Sequence, residues 1–592
     1  MKKSALRGFR EAACENPAAA AVIDGTRRVS FEELDQASDG LAARLRAAGA
    51  CRETVVGILL PKSADYVAAA LGVLKTGAAF LPLDPAYPAD WLARVCSAAR
   101  VRHAVSAGRY RSRHDLTGLL STIILDGDDE ADGTSAAAAG GRGGPDDEPH
   151  PAQLAYVIFT SGSTGPAKGV GVTHAGLSSL IAWNRTAYEI GPGTVTTSVA
   201  DISFDASVWE IFGTICSGGT IVLASESERG SPAALAALFE RHAVTTAFLP
   251  TLMAEHVLAE RSWSSLRRLL VGGDALRFAG AGDAGTPEVI NHYGPTEAAV
   301  VATAGVIECG GDVHIGRPLP HAFAYVLDET FRPVPPGTVG DIFVAGAGVA
   351  RGYLTSAGAT AEVFLPDPLG EPGTRMYRTG DRGLVRPDGC LSFTGRGDGF
   401  VKVRGYRVSL REIEAAAESH PQVQAAAAVT LPGPDGGSTI GLCAAIGGAE
   451  LTGLDLRTYL ADLLPGYQVP ARFVLSDRLP ATSRGKVDRA AIEEAFARSA
   501  SGSRRPPGTP VEEVLLLIWQ QVLGLQDIGM DDDFFDLGGH SILATEVAGL
   551  VRDHFDAADV PLEVFYSDPT IAGLAREVEL VTAGGNGSEP RP

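Results

Sequence analysis

Apolar positions along the first part of the chain follow two alternating rhythms. From Phe31 to Ala47 they fall at three- and four-residue intervals. That spacing predicts an amphipathic helix, with Ser30 as its N-cap and Glu33 three residues on. Val55-Val-Gly-Ile-Leu-Leu60 is a continuous apolar run ended by Pro61 and reads as a buried strand, as does Leu154 to Phe159. Helical and strand patterns alternate to about residue 130, which predicts an α/β architecture with parallel sheets.

Elsewhere the pattern breaks. Gly133 to Pro151, rich in Ala, Gly, Pro and Asp, reads as an exposed loop, and Gly389 to Arg396 as a second turn-rich zone. After Asp398 come a strand (Phe400 to Val403), a turn (Arg404-Gly405) and a helix (Leu410 to Ser419), so a subdomain boundary is placed near Asp398. Ser499 to Gly508 reads as a linker. Thr509-Pro510-Val511-Glu512 then has capping-box spacing with proline at the first helical position, and predicts a helix over Val511 to Leu525. A further helix is expected over Ser541 to Arg552, and Asp568-Pro569 opens a last one in the same way. The expected organisation is a large region (1–397), a smaller one (398–498), a linker (499–508), a helical bundle (509–582) and a disordered tail (583–592).

At 592 residues the chain is too long for one core, which agrees with several domains. The formal net charge of −21 argues against a nucleic-acid partner, which requires a basic face. Cys14, Cys51, Cys96, Cys216, Cys309, Cys390 and Cys443 are scattered and form no Cys-x-x-Cys. A disulfide framework or zinc site is not expected, and a reducing cytoplasm fits. Lys2 and Lys3 lead into no apolar run, so no signal peptide is read, and no segment suits a membrane span.

Several strings carry candidate chemistry. Thr160-Ser161-Gly162-Ser163-Thr164-Gly165-Pro166-Ala167-Lys168-Gly169 follows a buried strand and offers hydroxyls and backbone N–H groups to phosphate oxygens. By itself it suits a surface turn equally well, and it is no Walker loop because Gly169 follows the lysine. Asn291-His292-Tyr293-Gly294-Pro295-Thr296-Glu297 joins an aromatic face to a carboxylate. Tyr377-Arg378-Thr379-Gly380-Asp381 and Gly395-Arg396-Gly397-Asp398 add charged turns, and Lys486 lies on a glycine turn in Thr482-Ser-Arg-Gly485-Lys486-Val487. Phe204-Asp205-Ala206-Ser207-Val208-Trp209-Glu210 puts an aspartate at a helix start. Asp536-Leu537-Gly538-Gly539-His540-Ser541 puts a serine at another, where an N-cap is the simplest role.

In combination these strings resemble the adenylate-forming enzymes, and in particular an amino-acid-activating domain of the nonribosomal peptide synthetases fused to a peptidyl carrier protein. The resemblance implies the adenylate-forming fold with large and small subdomains, followed by a four-helix-bundle carrier. It implies ATP, Mg2+ and 4′-phosphopantetheine as cofactors. Thr160, Ser161, Gly162, Ser163, Thr164 and Lys168 would hold phosphates, Tyr293 would pack on adenine, and Thr296, Asp381 and Arg396 would reach the nucleotide, Asp381 by accepting from ribose hydroxyls. Glu297 would hold Mg2+, and Lys486 would bridge the substrate carboxylate and phosphate. Asp398 would be the hinge about which the small subdomain swings. Ser541 would carry the phosphopantetheine, attached by a phosphopantetheinyl transferase. Two positions depart from the family pattern: Phe400 stands where glutamine is common and Ser409 where glutamate is common.

The same resemblance implies that Asp205 binds a substrate α-ammonium, a natural partner for a buried carboxylate. The side-chain pocket would be formed by Ala206, Trp209, Ala247 (or, one residue on, Phe248), Leu270, Gly272, His292, Val300 and Val301. Apart from Asp205 it holds no acidic residue, so a neutral, sizeable, apolar or aromatic side chain is expected, with His292 either packing or bonding a polar tip. No condensation or thioesterase region fits the length, so transfer in trans to a tailoring enzyme or another synthetase is expected, and an MbtH-like activator is left open. An acyl-coenzyme A ligase and a catalytically inactive scaffold are the rival readings.

Overall fold

The computed structural model describes residues 3–113, 121–124, 148–160, 167–259, 264–274, 276, 286–308, 311–396, 400–403, 406–433, 438–447, 451–480, 487–499, 505–523, 528–532, 534, 537, 541–555, 565 and 568–584. The chain divides into two compact units, the first mainly of residues up to 399 and the second mainly of residues from 400 on.

The first unit holds two large sheets whose centres are parallel. One has five parallel strands, in the order Leu154–Thr160, Ala79–Leu83, Val55–Leu59, His103–Ser106 and Ser121–Ile124, with Lys168–Thr173 and Gly352–Tyr353 added antiparallel at one edge. The other has six, in the order Glu288–Tyr293, Arg268–Gly272, Thr246–Pro250, Val195–Ser198, Thr220–Leu223 and Ala20–Asp24, with antiparallel strands on both sides. The alternation of strand and helix in the sequence predicts these parallel centres, because a crossover helix returns the chain to the end of the sheet at which the preceding strand began. Phe31–Ala47 is the expected helix: Ser30 Oγ accepts from Glu33 N at 3.2 Å and Glu33 Oε2 accepts from Ser30 N at 2.8 Å, closing a capping box.

Two features depart from expectation. A third sheet is antiparallel throughout, built from Ala322–Leu327, Gly340–Gly346, Arg375–Val385, Phe364–Pro366 and Leu391–Arg396. It uses much of the zone that reads as turn-rich. Gly389, at φ 81°, makes the turn there, and Leu391–Arg396 is a strand paired with Arg375–Val385. Glycine content conceals the strand because a positive-φ glycine at its start reads as loop chemistry.

The second unit begins with a hairpin of Phe400–Val403 and Tyr406–Ser409, in which Phe400 lies directly opposite Ser409. Both are buried, so the two family departures form one cross-strand contact, a large residue facing a small one. The helix Leu410–Glu418 and a three-stranded sheet (Ala425–Pro432, Ser438–Ala445, Arg472–Ser476) follow. Pro510–Leu523, Ser541–Phe555 and Ile571–Gly584 then pack around Trp519, Phe534 and Phe565. These are three of the expected four helices; between them residues 524–527, 538–540 and 556–564 lie outside the described residues. Thr509 does cap its helix, accepting from Glu512 N at 3.1 Å. Glu512 instead reaches Gly508 N, at 2.7 Å, and Arg505, so the box is shifted by one residue. The last helix is capped by Thr570, which accepts from Gly573 N at 2.9 Å, two residues after Asp568. The turn Arg404-Gly405 and the tail from 585 lie outside the described residues, as does most of Gly133 to Pro151.

Candidate active site

Thr160 ends one strand and Lys168 begins the next, and the two face each other across an antiparallel pair. Ser161, Gly162, Ser163 and Thr164, the expected phosphate contacts between them, lie outside the described residues. Lys168 Nζ sits 5.0 Å above the ring of Tyr353. The Tyr353 hydroxyl donates to Glu297 Oε1 at 2.7 Å. Tyr353 thus ties the expected phosphate lysine to the expected magnesium ligand. Nothing in the sequence marks it for this role, since the contact depends on Gly352–Tyr353 pairing with a strand about 180 residues earlier.

Glu297 is held in a short 3-10 turn, Thr296–Ala298, and is 1% exposed. The turn is shaped by close approach: a Cβ on Gly294 would lie 2.4 Å from Val300 O, so only glycine fits. Val300 in turn takes φ 74°, a conformation that branched side chains rarely adopt, placing backbone strain in the expected pocket wall. Glu297 and Thr296 offer hard oxygen donors, the set that suits Mg2+. Among the described residues no cluster of three or more His, Cys, Asp or Glu could hold a metal, so an ion here would lean on substrate phosphates.

Asp381 is 3% exposed, and its carboxylate is already engaged. Tyr293 Oη donates to Oδ2 at 2.7 Å and Arg396 Nη1 to Oδ1 at 2.5 Å, while Arg396 Nη2 donates to Thr379 O at 3.1 Å. Burial, then the Asp381 charge, pushes the Tyr293 phenol well above its usual value, so it stays a donor. Each carboxylate oxygen keeps a second lone pair that a ribose hydroxyl can use.

Asp205 opens the helix Asp205–Ile215. The residue is 9% exposed and its Oδ2 accepts no hydrogen bond. Burial raises its pKa to about 6; the Glu297 charge adds to the rise, and the Thr296 side chain and the Ala206 N–H oppose it. Two nearby buried carboxylates, one with an unused oxygen, favour a cation between them. The helix start is braced from behind. Glu210 accepts from Ser198 Oγ and Val199 N at 2.9 Å each and from Ala200 N at 3.2 Å, and Lys62 Nζ donates to Ser198 O at 3.2 Å.

One turn along the same helix face stands Trp209, its indole N–H fixed by Asn184 Oδ1 at 2.9 Å. Around it gather Ala206, Phe248, Leu270, Val300 and Val301, with Trp183 from the helix His174–Ala187 and Tyr188 from its C-cap. His292 lies 5.0 Å from Trp209, ring to ring, and Phe248 lies 5.3 Å from it. Phe248, Leu270 and Ile290 form one row in register across three parallel strands, and Pro250, Gly272 and His292 form the next. A Cβ at Gly272 would approach His292 O to 2.9 Å.

Ala247 is a correction. It packs with Leu235, Phe239 and Leu249 on the opposite face of the sheet, because side chains alternate along a strand, and Phe248 takes the site-facing position. The structure also decides the state of His292. Val271 O, a pure acceptor, lies 3.2 Å from Nδ1, so Nδ1 carries the proton. Burial lowers the ring's pKa to about 4, leaving Nε2 a lone pair that takes the Tyr188 hydroxyl at 2.5 Å. Trp183 and Tyr188 are not legible in the sequence, since nothing in their spacing separates a site-facing aromatic from a core one. Asp398 and Lys486 lie outside the described residues; Ser541 is the first residue of its helix, and its side chain also lies outside them.

Residues 9–354 match the AMP-binding enzyme family, residues 412–486 the AMP-binding enzyme C-terminal domain, and residues 513–578 the phosphopantetheine attachment site. The chain is 37% identical over 579 residues to a dimodular nonribosomal peptide synthase of Bacillus subtilis, covering 97% of this chain and 24% of that one. It is 39% identical over 594 residues to phosphinothricin tripeptide synthetase PhsC of Streptomyces viridochromogenes, covering 97% of this chain and 53% of that one. It thus spans about a quarter of the first relative and about half of the second. Among solved structures, holo-PA1221, a synthetase protein with adenylation and carrier domains bound to a vinylsulfonamide inhibitor, shares the fold with a TM-score of 0.77 at 24% identity, over 97% of this chain and 96% of that one. An artificially fused adenylation–carrier didomain from Klebsiella oxytoca, NpsA-ThdA, gives 0.69 at 26% identity, over 80% and 94%.

Proposed function

The chain belongs to the AMP-binding enzyme family, as an adenylation domain fused to a carrier domain, and from that premise we propose that it activates a neutral amino acid with an apolar or aromatic side chain and loads it onto its own carrier. The observation that carries the amino-acid reading is Asp205, a buried carboxylate with an oxygen that accepts no hydrogen bond, one helical turn from Trp209. An α-ammonium seated there gains a charge-assisted hydrogen bond and relieves the desolvated charge. Among the described residues, the surrounding rings and aliphatic side chains offer no acid for a basic side chain. His292 has both ring nitrogens engaged by the protein.

Asp205 orients the amino acid by its ammonium, and Lys486 holds the carboxylate against the α-phosphorus of ATP. A carboxylate oxygen attacks that phosphorus and pyrophosphate leaves, giving the aminoacyl adenylate. Lys168 and the loop before it bind phosphate oxygens, and Tyr293, Asp381 and Arg396 fix the nucleoside end. Glu297 and Thr296 would hold Mg2+ together with ATP, and the ion would neutralise charge on the leaving pyrophosphate. Ser541 would carry the 4′-phosphopantetheine, which would supply a thiol for thioester formation with the activated amino acid. Asp398 serves as the hinge between the subdomain arrangements that the two steps use. A phosphopantetheinyl transferase prepares the carrier, and a further synthetase or tailoring enzyme takes the cargo. The free thiols of the described cysteines suit a cytoplasmic setting, and no helix among the described residues is long and apolar enough to cross a membrane.

The test is amino-acid-dependent ATP–pyrophosphate exchange over a panel of neutral amino acids, with and without an MbtH-like protein. One strong hit is expected. Lys486→Ala is expected to lose most exchange while keeping its fold, and Ser541→Ala to keep exchange but lose covalent loading. Faster loading of coenzyme A than of Ser541 would overturn the reading in favour of an acyl-coenzyme A ligase.

A further inference from the structure

We infer that Tyr188 is a specificity-determining residue: by occupying Nε2 of His292, it keeps the pocket wall from accepting a hydrogen bond from the substrate side chain. The inference rests on the amino-acid pocket proposed above and goes beyond it by assigning a residue whose hydroxyl sets what the pocket refuses.

Every part of the arrangement is fixed by the protein. Val271 O receives the Nδ1 proton at 3.2 Å, so Nε2 is the only acceptor left on the ring. Tyr188 Oη fills it at 2.5 Å. The tyrosine is itself held in place. It is the C-cap of the helix His174–Ala187, its own carbonyl accepts from Arg268 Nη1 at 2.8 Å, and Glu189 after it is bent into the left-handed region at φ 55°. Arg268 is in turn paired with Glu189 at 3.1 Å and Glu288 at 3.6 Å. The His292 ring lies against Trp209, on the same helix face as Asp205, so it stands on the side of the pocket where a substrate side chain must run. Phe248, Leu270 and Val301 offer no acceptor near it.

An apolar site cannot by itself strongly reject an analogue that adds a hydroxyl, whereas one that hydrogen-bonds the hydroxyl favours it by orders of magnitude. Tyr188 therefore decides between the two regimes. With its hydroxyl present, a substrate hydroxyl entering the pocket finds His292 already satisfied and loses its water partners. With phenylalanine at 188, Nε2 becomes an acceptor for it.

The experiment compares wild type, Tyr188→Phe and Tyr188→Phe/His292→Leu on amino acids that differ by one hydroxyl: phenylalanine and tyrosine, valine and threonine, leucine and β-hydroxyleucine. For the pair nearest in size to the preferred substrate, Tyr188→Phe is expected to raise the relative kcat/KM of the hydroxylated member by about tenfold or more. The gain should lie in KM, and the double variant should lose it. A Tyr188→Phe enzyme that keeps its rate on the apolar member with no such gain would overturn the assignment. A readout free of catalysis runs in parallel. The 15N shifts of the His292 ring in the unliganded protein should show Nδ1 protonated in both forms, with Nε2 moving towards a free lone pair only in Tyr188→Phe. Unmoved shifts would also overturn it, whether or not any amino acid is activated; silence of the wild type across all pairs would instead count against the proposed function.

Discussion

Asp205 has an opposite pH sense from the usual surface aspartate. Its acid is weakened in the fold, from 3.8 to about 6, chiefly by burial. Above pH 6 the native state holds a charge that the unfolded chain solvates better, so the group costs stability. As the pH falls from about 6 towards 3.8, the native state takes up the proton first and that cost disappears. A two-unit shift corresponds to about 3 kcal/mol. Asp205→Asn is therefore expected to stabilise the unliganded protein by up to about 3 kcal/mol at pH 8, and not at pH 4, as read from thermal unfolding at each pH. The same variant should lower kcat/KM for the amino acid by about a hundredfold or more at pH 8, because the ammonium loses its counter-charge. A destabilised variant at pH 8 would show that the Thr296 and Ala206 contacts to Asp205 outweigh the cost of its burial. His292, whose pKa is lowered to about 4, works the other way: protonation of the unfolded chain below about 6.5 draws stability from the fold as the pH falls towards 4.

Among the elements, the parallel strands make the site legible and also set the limit of legibility. Phe248→Ala is expected to raise KM for the amino acid and cost about 3–5 kcal/mol, whereas Ala247→Leu should overpack the far face and cost about 1–3 kcal/mol with KM unchanged. Steady-state kinetics beside chemical denaturation separates the two; a KM change in Ala247→Leu would contradict the strand parity. The sequence marks the strand Thr246–Pro250 by its apolar run, but a run apolar on both faces does not say which neighbour looks inward. Asp205 and Trp209 are readable through the family resemblance, and helical spacing then puts them on one face. Tyr353 and Tyr188 are not, since each acts through a partner brought near only by sheet pairing or by a helix end. The strand Leu391–Arg396 is hidden by its flanking glycine.

For the whole molecule, each of the two units has apolar clusters of its own. Each unit buries its own core, so residues 1–399 expressed alone are expected to fold cooperatively and bind the amino acid and ATP. Exchange should fall by about a thousandfold, because Lys486 is absent. Calorimetric binding and unfolding on that fragment decide this; a fragment that stays unfolded would show that the units depend on each other. The two ends of its site differ in what the fold itself supplies. Asp381 takes hydrogen bonds from Tyr293 and Arg396, but Asp205 keeps an oxygen that no protein group satisfies. Scarcity of the amino acid therefore does more than slow this enzyme. Each idle copy opens more often to proteases, so a starved cell would clear the protein and a supplied one would keep it, its abundance following its cargo.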